Sequence, residues 1–270
     1  MNKGKRLVDF LNFRGNEPVQ EPIIEEREEF FYDKEKSEIL ENKLSKVKGK
    51  MLIGMHDYPC GDAIASAYVW KEKILKDKFG IDSDIFYSGS VSHHENIALV
   101  KRLDSVYDFR MINFDEVDFS DYKNTLLLDV SVKDKHLTLP EKFKIDFVID
   151  HHYDPSMEEI IKTYNFADVR ASSDIGSTST MTTEYLDAYG IGFDKENEKD
   201  QLLATALKLG ILIDTNNLKK ATTKEYLALA KLHSFVDRNT LEAILKPSRS
   251  AEMQNGIGRG LSQRKRVGIY

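Results

Sequence analysis

The strongest constraint on this 270-residue chain is a boundary that repeats along it. Short apolar runs stop abruptly at acidic and histidine residues. The run 52–55 leads into His56-Asp57-Tyr58-Pro59-Cys60-Gly61-Asp62, the run 125–128 into Asp129, and the run 147–149 into Asp150-His151-His152. A further short run, 84–87, has the same character. Apolar runs this short, bounded by polar or glycine-containing segments, read as strands buried on both faces. Between them lie helical patterns. Residues 63–78 carry Ile64, Ala67, Tyr68, Ile74 and Leu75 at helix-like intervals, and residues 94–103 carry Ile97, Leu99 and Val100. The alternation predicts an α/β fold with an open, mostly parallel sheet flanked by helices. From Gly176 onward the pattern turns helical, over 176–189, 199–213, 223–236 and 238–245. Gly190-Ile191-Gly192 separates the first two helices, and Pro247 closes the last.

The two ends differ in charge. From Glu17 to Glu41, ten acidic residues face three basic ones, and Pro18 and Pro22 argue for an extended start. Residues 34–47 place Ile39, Leu40, Leu44 and Val47 at helical spacing, as in a solvated amphipathic helix. Residues 1–50 therefore read as an acidic, partly helical N-terminal extension, and 51–245 as the main domain. Residues 246–270 hold six basic residues and one acidic, and read as a basic linker or the start of another domain. The closing VGIY resembles the start of a strand. A net charge of −6 disfavours nonspecific wrapping of duplex DNA. No apolar run nears the ~18 residues of a membrane span. The first twenty residues lack the apolar core and small-residue cleavage site of a secretory signal. A single cysteine, Cys60, excludes internal disulfides and all-cysteine zinc sites. A cytoplasmic location is the expectation.

In an open parallel sheet, ligands bind outside the carboxyl ends of the strands. All three acid/histidine clusters fall at such ends. Asp214, in GILIDT, follows Leu207, Leu209, Ile211 and Ile213, where a carboxylate is costly to bury unless paired or on a metal. Taken singly, each residue has a plainer role: Asp129 as a helix cap, His151 as a satisfied core histidine, Asp214 as a turn residue. Taken together they predict one shared metal site. Mixed oxygen and imidazole donors suit Mn²⁺ or a similar ion, with Mg²⁺ less favoured. His93-His94 reads as a surface pair. Ser177, Thr178 and Ser179 read as a helix cap, either facing phosphate or simply capping.

The segments MHDYPCGDAIASA, LLLDVS, VIDHH and GILIDT, in this order, resemble the four motifs of the DHH phosphoesterase superfamily. GSTSTMTTEYL resembles the segment between its third and fourth motifs. The superfamily includes RecJ-type exonucleases, family II inorganic pyrophosphatases and exopolyphosphatases. It also includes oligoribonucleases that dephosphorylate adenosine 3′,5′-bisphosphate, the branch this chain looks most like. The resemblance implies a binuclear centre of two divalent ions. His56, position 60 and Asp129 would hold the first, and Asp62, Asp129, His151 and Asp214 the second, with Asp129 bridging. His152 would face the scissile phosphate, and Asp150 would orient a histidine. The implied activity is two-metal hydrolysis of phosphate esters in short oligonucleotides or small nucleotides. Water between the ions would attack phosphorus in line, and His152 would add a hydrogen bond to the charge on the phosphate oxygen and attacking water or protonate the leaving oxygen.

Cys60 departs from the pattern, which has Asp there. Thiolate is softer than carboxylate and favours Zn²⁺ or Fe²⁺ over Mn²⁺. Three outcomes are open. Cys60 ligates through sulfur, Asp57 supplies a substitute carboxylate, or the first site is weak. The last outcome would leave a catalytically impaired nucleotide- or protein-binding module. Inorganic pyrophosphatase or exopolyphosphatase activity is a further alternative. No Gly-Gly pair followed by His, the mark of the superfamily's substrate-binding unit, occurs before Tyr270. Oligomeric state is open, a homodimer included.

Overall fold

In the computed structural model, which describes residues 31–130, 137–140, 143–246 and 259, the apolar runs become strands. They are β1 (Met51–Gly54), β2 (Ser83–Tyr87), β3 (Ile112–Asn113), β4 (Asn124–Leu128), β5 (Phe147–Asp150) and β6 (Phe166–Val169). All pair in parallel, in the order β3-β2-β1-β4-β5-β6. The predicted strands are present, shifted by a residue at some ends. The chain progresses one way from β1 to β3 and the other way from β4 to β6, so the order reverses between β1 and β4. In such sheets that reversal is where ligands settle.

The helices are α1 (Lys34–Leu44), α2 (Gly61–Val69), α3 (His94–Val106), α4 (Glu158–Ile161), α5 (Thr178–Ala188), α6 (Glu198–Asp214), α7 (Thr223–Leu232) and α8 (Arg238–Leu245). A π-helical stretch, Trp70–Lys78, continues α2. Alternation along each strand sets the two faces of the sheet. Met51, Ile53, Leu126, Leu128, Phe147 and Ile149 join α2, α5 and α6 in the main core. Leu127 and Val148 point to the opposite face, with Val130. Phe86, the neighbour of core residue Ile85, meets Phe114 and Phe119, and Phe119 meets Phe143, at centroid separations of 5.0–6.5 Å.

Two strands escape the sequence reading. β3 is only two residues long, and β6, Phe166-Ala167-Asp168-Val169, buries a charge where a continuous apolar run was the signal. The Asp168 carboxylate is fully buried among Lys36 Nζ (2.7 Å), Arg170 Nη2 (2.6 Å) and the donating Tyr185 hydroxyl (2.8 Å). Arg170 also pairs with Glu184, whose other oxygen takes Lys224 Nζ at 2.6 Å. The expectation of a solvated N-terminal helix is corrected here. Asp33 caps α1, Leu40 and Leu44 enter the core, and only Ile39 of the apolar stripe stays exposed, at 40%. Residues 1–30 of the acidic extension, the strand start read at VGIY and all of the basic segment but Lys246 and Arg259 lie outside the described residues.

Helix α6 runs against α2 and α5 at Gly210. A Cβ there would lie 2.3 Å from Ser179 Oγ and 2.7 Å from Asp62 Oδ1. No side chain fits, so the helices approach closely. Asp214, one turn further on and on the same face, is thereby carried to the strand ends. Among the described residues no helix is long and apolar enough to cross a membrane.

Candidate metal centre

Asp129 follows β4 with a left-handed backbone, φ 57°, which aspartate tolerates better than most residues. Its N–H donates to the Ile149 carbonyl at 3.1 Å, tying the turn to β5. The side chain is 2% exposed, and its two oxygens face different neighbours. Oδ1 lies 3.3 Å from His151 Nε2 and accepts from Thr178 Oγ1 at 2.9 Å. Oδ2 lies 3.3 Å from Cys60 Sγ and 3.8 Å from His56 Nε2.

Two donor groups therefore share Asp129. One is His56, Cys60 and Asp129; the other is Asp129, His151, His152 and Asp214. Within each, the ligand atoms lie within 4.8 Å of one another. Asp214 Oδ2 is 3.0 Å from His151 Nε2. The structure thus brings His56, Cys60, Asp129, His151 and Asp214 together around one carboxylate.

His56 is held in a form suited to ligation. Its Nδ1 is 2.8 Å from the Asp57 carbonyl, which can only accept, so the proton sits on Nδ1. Nε2 is left as the acceptor and receives the Cys60 N–H at 3.2 Å. Cys60 is also the N-cap of α2, its sulfur accepting from Ala63 N–H at 3.4 Å. Burial, and then the charge of Asp129, push the Cys60 thiol well up. Asp57 does not substitute for the missing carboxylate. Its oxygens accept from Thr138 N–H at 3.0 Å and Thr138 Oγ1 at 2.7 Å, and it lies in neither donor group.

Asp62 stands at the margin of the second group. Its oxygens accept the N–H groups of Thr178 (2.7 Å) and Ser179 (2.8 Å) at the start of α5, while Oδ2 is 4.0 Å from His151 Nε2. The N-terminus of α5, weighed from sequence as a phosphate-facing cap, is occupied by this carboxylate, with Ser177 as the N-cap. Sequence reasoning therefore missed Thr178 as the residue that joins Asp62 to Asp129. The run GSTST was the available signal. Glu225 fixes the same loop from α7, taking Gly176 N–H at 2.8 Å.

The donor set fits divalent ions. Neither ring nitrogen of buried His151 makes a well-formed hydrogen bond. Burial favours its neutral ring, yet the carboxylates of Asp129 and Asp214 outweigh burial and push His151 up to about 11. Burial and the Asp129 charge push Asp62 up in turn. The polypeptide alone thus balances crowded carboxylates by holding protons, which cations would displace.

His152 is paired differently. Its Nδ1 is 2.7 Å from Asp150 Oδ1, the side chain is 44% exposed, and Asp150 is fully buried. Burial opposes the charged ring of His152, but the Asp150 hydrogen bond prevails and raises it. Asp150 thus orients His152. His93 and His94 stand apart, with His94 Nδ1 2.8 Å from Glu95.

Residues 50–211 match the DHH family, N-terminal domain. The chain belongs to the DHH family. Among relatives, an uncharacterized protein of Methanocaldococcus jannaschii is 32% identical over 230 residues, covering 84% of this chain and 44% of its own length. This DHH-family chain thus spans less than half of that relative. Among solved structures, an exopolyphosphatase-related protein from Bacteroides fragilis superposes with a TM-score of 0.64 at 16% identity. The superposition covers 87% of this chain and 67% of that one, and shows a shared fold.

Cys60→Asp tests the departure at the first donor group. The change puts an oxygen donor where the Cys60 sulfur now stands 3.3 Å from Asp129 Oδ2, and supplies a better N-cap for α2. Mn²⁺ affinity is expected to rise on the order of ten-fold or more, the scale at which even outer-shell changes register. The metal-free protein is expected to melt lower, because a further carboxylate joins Asp62, Asp129 and Asp214. Calorimetric Mn²⁺ titration and melting with and without metal read both. Unchanged Mn²⁺ affinity would mean position 60 is not a ligand.

Proposed function

We propose that this chain is a metal-dependent phosphoesterase that hydrolyses phosphate esters of short oligonucleotides or small nucleotides. Asp129 carries the reading: one carboxylate presents an oxygen to each of two separate donor groups. His56, Cys60 and Asp129 would hold one ion. Asp129, His151 and Asp214, with Asp62 beside them, would hold the other. Mn²⁺ fits the oxygen and imidazole donors, and Cys60 makes Zn²⁺ or Fe²⁺ a fitting occupant of the first position. Bound divalent ions would supply Lewis acidity toward a phosphoryl oxygen and an attacking water.

The chain's own residues supply the rest. Asp150 fixes the His152 ring through Nδ1, which leaves Nε2 for substrate. A ring raised toward its protonated form and open to solvent suits proton donation to the leaving oxygen. Thr178 holds Asp129 by its hydroxyl and Asp62 by its N–H, so the two carboxylates keep a common orientation. The Bacteroides fragilis neighbour, described as exopolyphosphatase-related, makes polyphosphate a necessary member of any substrate panel.

The test pairs metal analysis of the full chain with hydrolysis of short RNA, adenosine 3′,5′-bisphosphate, pyrophosphate and polyphosphate under Mn²⁺. Nucleotide turnover is expected to lead. His152→Ala is expected to leave metal content intact and slow that turnover about 10²–10⁴-fold, the scale of general acid catalysis. Two bound metals with no turnover of any member would favour the binding-module alternative that Cys60 raises. Faster pyrophosphate or polyphosphate hydrolysis would replace the nucleotide assignment.

A further inference from the structure

We propose that Tyr58 is a stacking platform for the nucleobase of a phosphorylated substrate. The inference rests on the phosphoesterase reading above and deepens it by naming how the non-phosphate end is held.

Tyr58 lies in the loop between β1 and α2, two residues after His56 and two before Cys60. It therefore sits at the carboxyl end of the sheet, beside the metal centre. Its backbone is left-handed, φ 56°, a region that bulky side chains rarely occupy. The Tyr58 N–H donates to the Ser88 carbonyl at 2.9 Å, which holds the loop against the exit of β2. A strained backbone at a ligand-facing edge is where function is worth seeking.

The side chain is 57% exposed, the highest value among large apolar side chains of the described residues. Exposed tyrosines are common, but this ring has a built support. It rests on Gly89, which is itself left-handed at φ 75°. A Cβ at Gly89 would fall 2.7, 2.8 and 3.0 Å from Cε1, Cδ1 and Cζ of the Tyr58 ring. Glycine there lets the ring lie against bare backbone, while more than half of the side chain remains open to solvent.

Beyond Gly89 a cavity of about 240 Å³ opens at the ends of β2 and β3, lined by Tyr87, Asp104, Arg110, Asn113 and Glu116 among others. Asn113 Nδ2 donates to the Gly89 carbonyl at 3.4 Å, so the cavity wall and the Tyr58 support are one piece of structure. The volume is below the range for drug-sized ligands and suits a single base or ribose. Its polar lining offers both donors and acceptors to a base edge. A phosphate held at the strand ends by the metal centre would leave its base to reach Tyr58 and the polar groups beside Gly89. Base–aromatic stacking is tolerant of base identity, so the platform implies a preference for nucleotides over base-free phosphates, with no choice among bases.

The experiment compares adenosine 5′-monophosphate with ribose 5-phosphate, binding each to the Mn²⁺-loaded full chain by calorimetry. The wild type is expected to bind the nucleotide about ten-fold more tightly, the scale of one stack. Tyr58→Asn accepts the left-handed backbone and is expected to bring the ratio to about one. Tyr58→Phe is expected to keep it. Equal binding of both ligands by the wild type, or an unchanged ratio in Tyr58→Asn, overturns the platform and leaves the phosphoesterase reading standing. Binding of neither ligand, nor of inorganic phosphate, sinks that reading and this inference with it.

Discussion

Asp129→Asn is expected to empty both halves of the metal centre at once. Asparagine keeps the shape of the side chain and the left-handed backbone at φ 57°, where alanine would add strain of about 1–2 kcal/mol. What it removes is the charge shared between the Cys60–His56 side and the His151–Asp214 side. An amide also presents a donor to one of those sides, where an acceptor is needed. Loss of a mere outer-shell partner costs 10–100-fold in metal affinity, so loss of a shared ligand should exceed about 100-fold at each position. Metal content of the purified protein should fall from two ions to none, and phosphoester turnover with it. Elemental analysis after dialysis reads the first and a Mn²⁺-saturated assay the second. Retention of one ion would assign Asp129 to a single site. Retention of two would remove the bridging role and, with it, the observation that carries the proposed function.

Asp168→Asn is expected to be the most destabilising single change away from the metal centre. The carboxylate is fully buried and receives Lys36 from α1, Arg170 from just beyond β6 and Tyr185 from α5. Removing one partner of a buried ion pair leaves the other charges poorly compensated and costs about 3–5 kcal/mol. That is a large part of a typical 5–15 kcal/mol total. The pH dependence follows from the direction of the shift. Burial opposes the charged form, but Arg170 and Lys36 outweigh it and hold Asp168 below its ordinary value. A carboxylate depressed in the folded state stabilises the fold above its unfolded pKa, near about 3.9, and that contribution is lost as pH falls toward the folded value. The gap between wild type and Asp168→Asn should therefore be widest near neutrality and narrow below about pH 4. Urea unfolding across that range measures it. A gap independent of pH would assign the loss to packing rather than charge.

Much of the architecture was legible along the chain because its signals are local. Burial on both faces of a parallel strand makes a short apolar run, and a carboxylate or histidine ends the run where the strand leaves the core. Those two facts placed β1, β2, β4 and β5 and put His56, Asp129, Asp150, His151 and His152 at one edge. Helical spacing likewise anticipated α2, α3 and α5 to α8 to within a few residues. β6 was illegible because its buried position 168 holds a charge whose partners, Lys36, Arg170 and Tyr185, come largely from other elements. The helix at 34–47 looked solvated because its charges outnumber its apolar residues, and only contact with the body shows Leu40 and Leu44 buried.

The division of labour among neighbouring acids was decided in three dimensions. Asp57, Cys60 and Asp62 lie within six residues, yet Asp57 turns to Thr138, Cys60 to Asp129, and Asp62 to the first amides of α5. Spacing along a chain limits where a carboxylate can reach but does not rank the donors it will meet. Those donors arrive from segments up to more than a hundred positions away. Local signals along the chain sufficed for the four central strands, for the edge at which they end and for the kinds of ligand atom gathered there. Which oxygen faces which neighbour is set by packing, because Gly210 lets α6 press against Asp62 and Ser179, and that close approach brings Asp214 to His151.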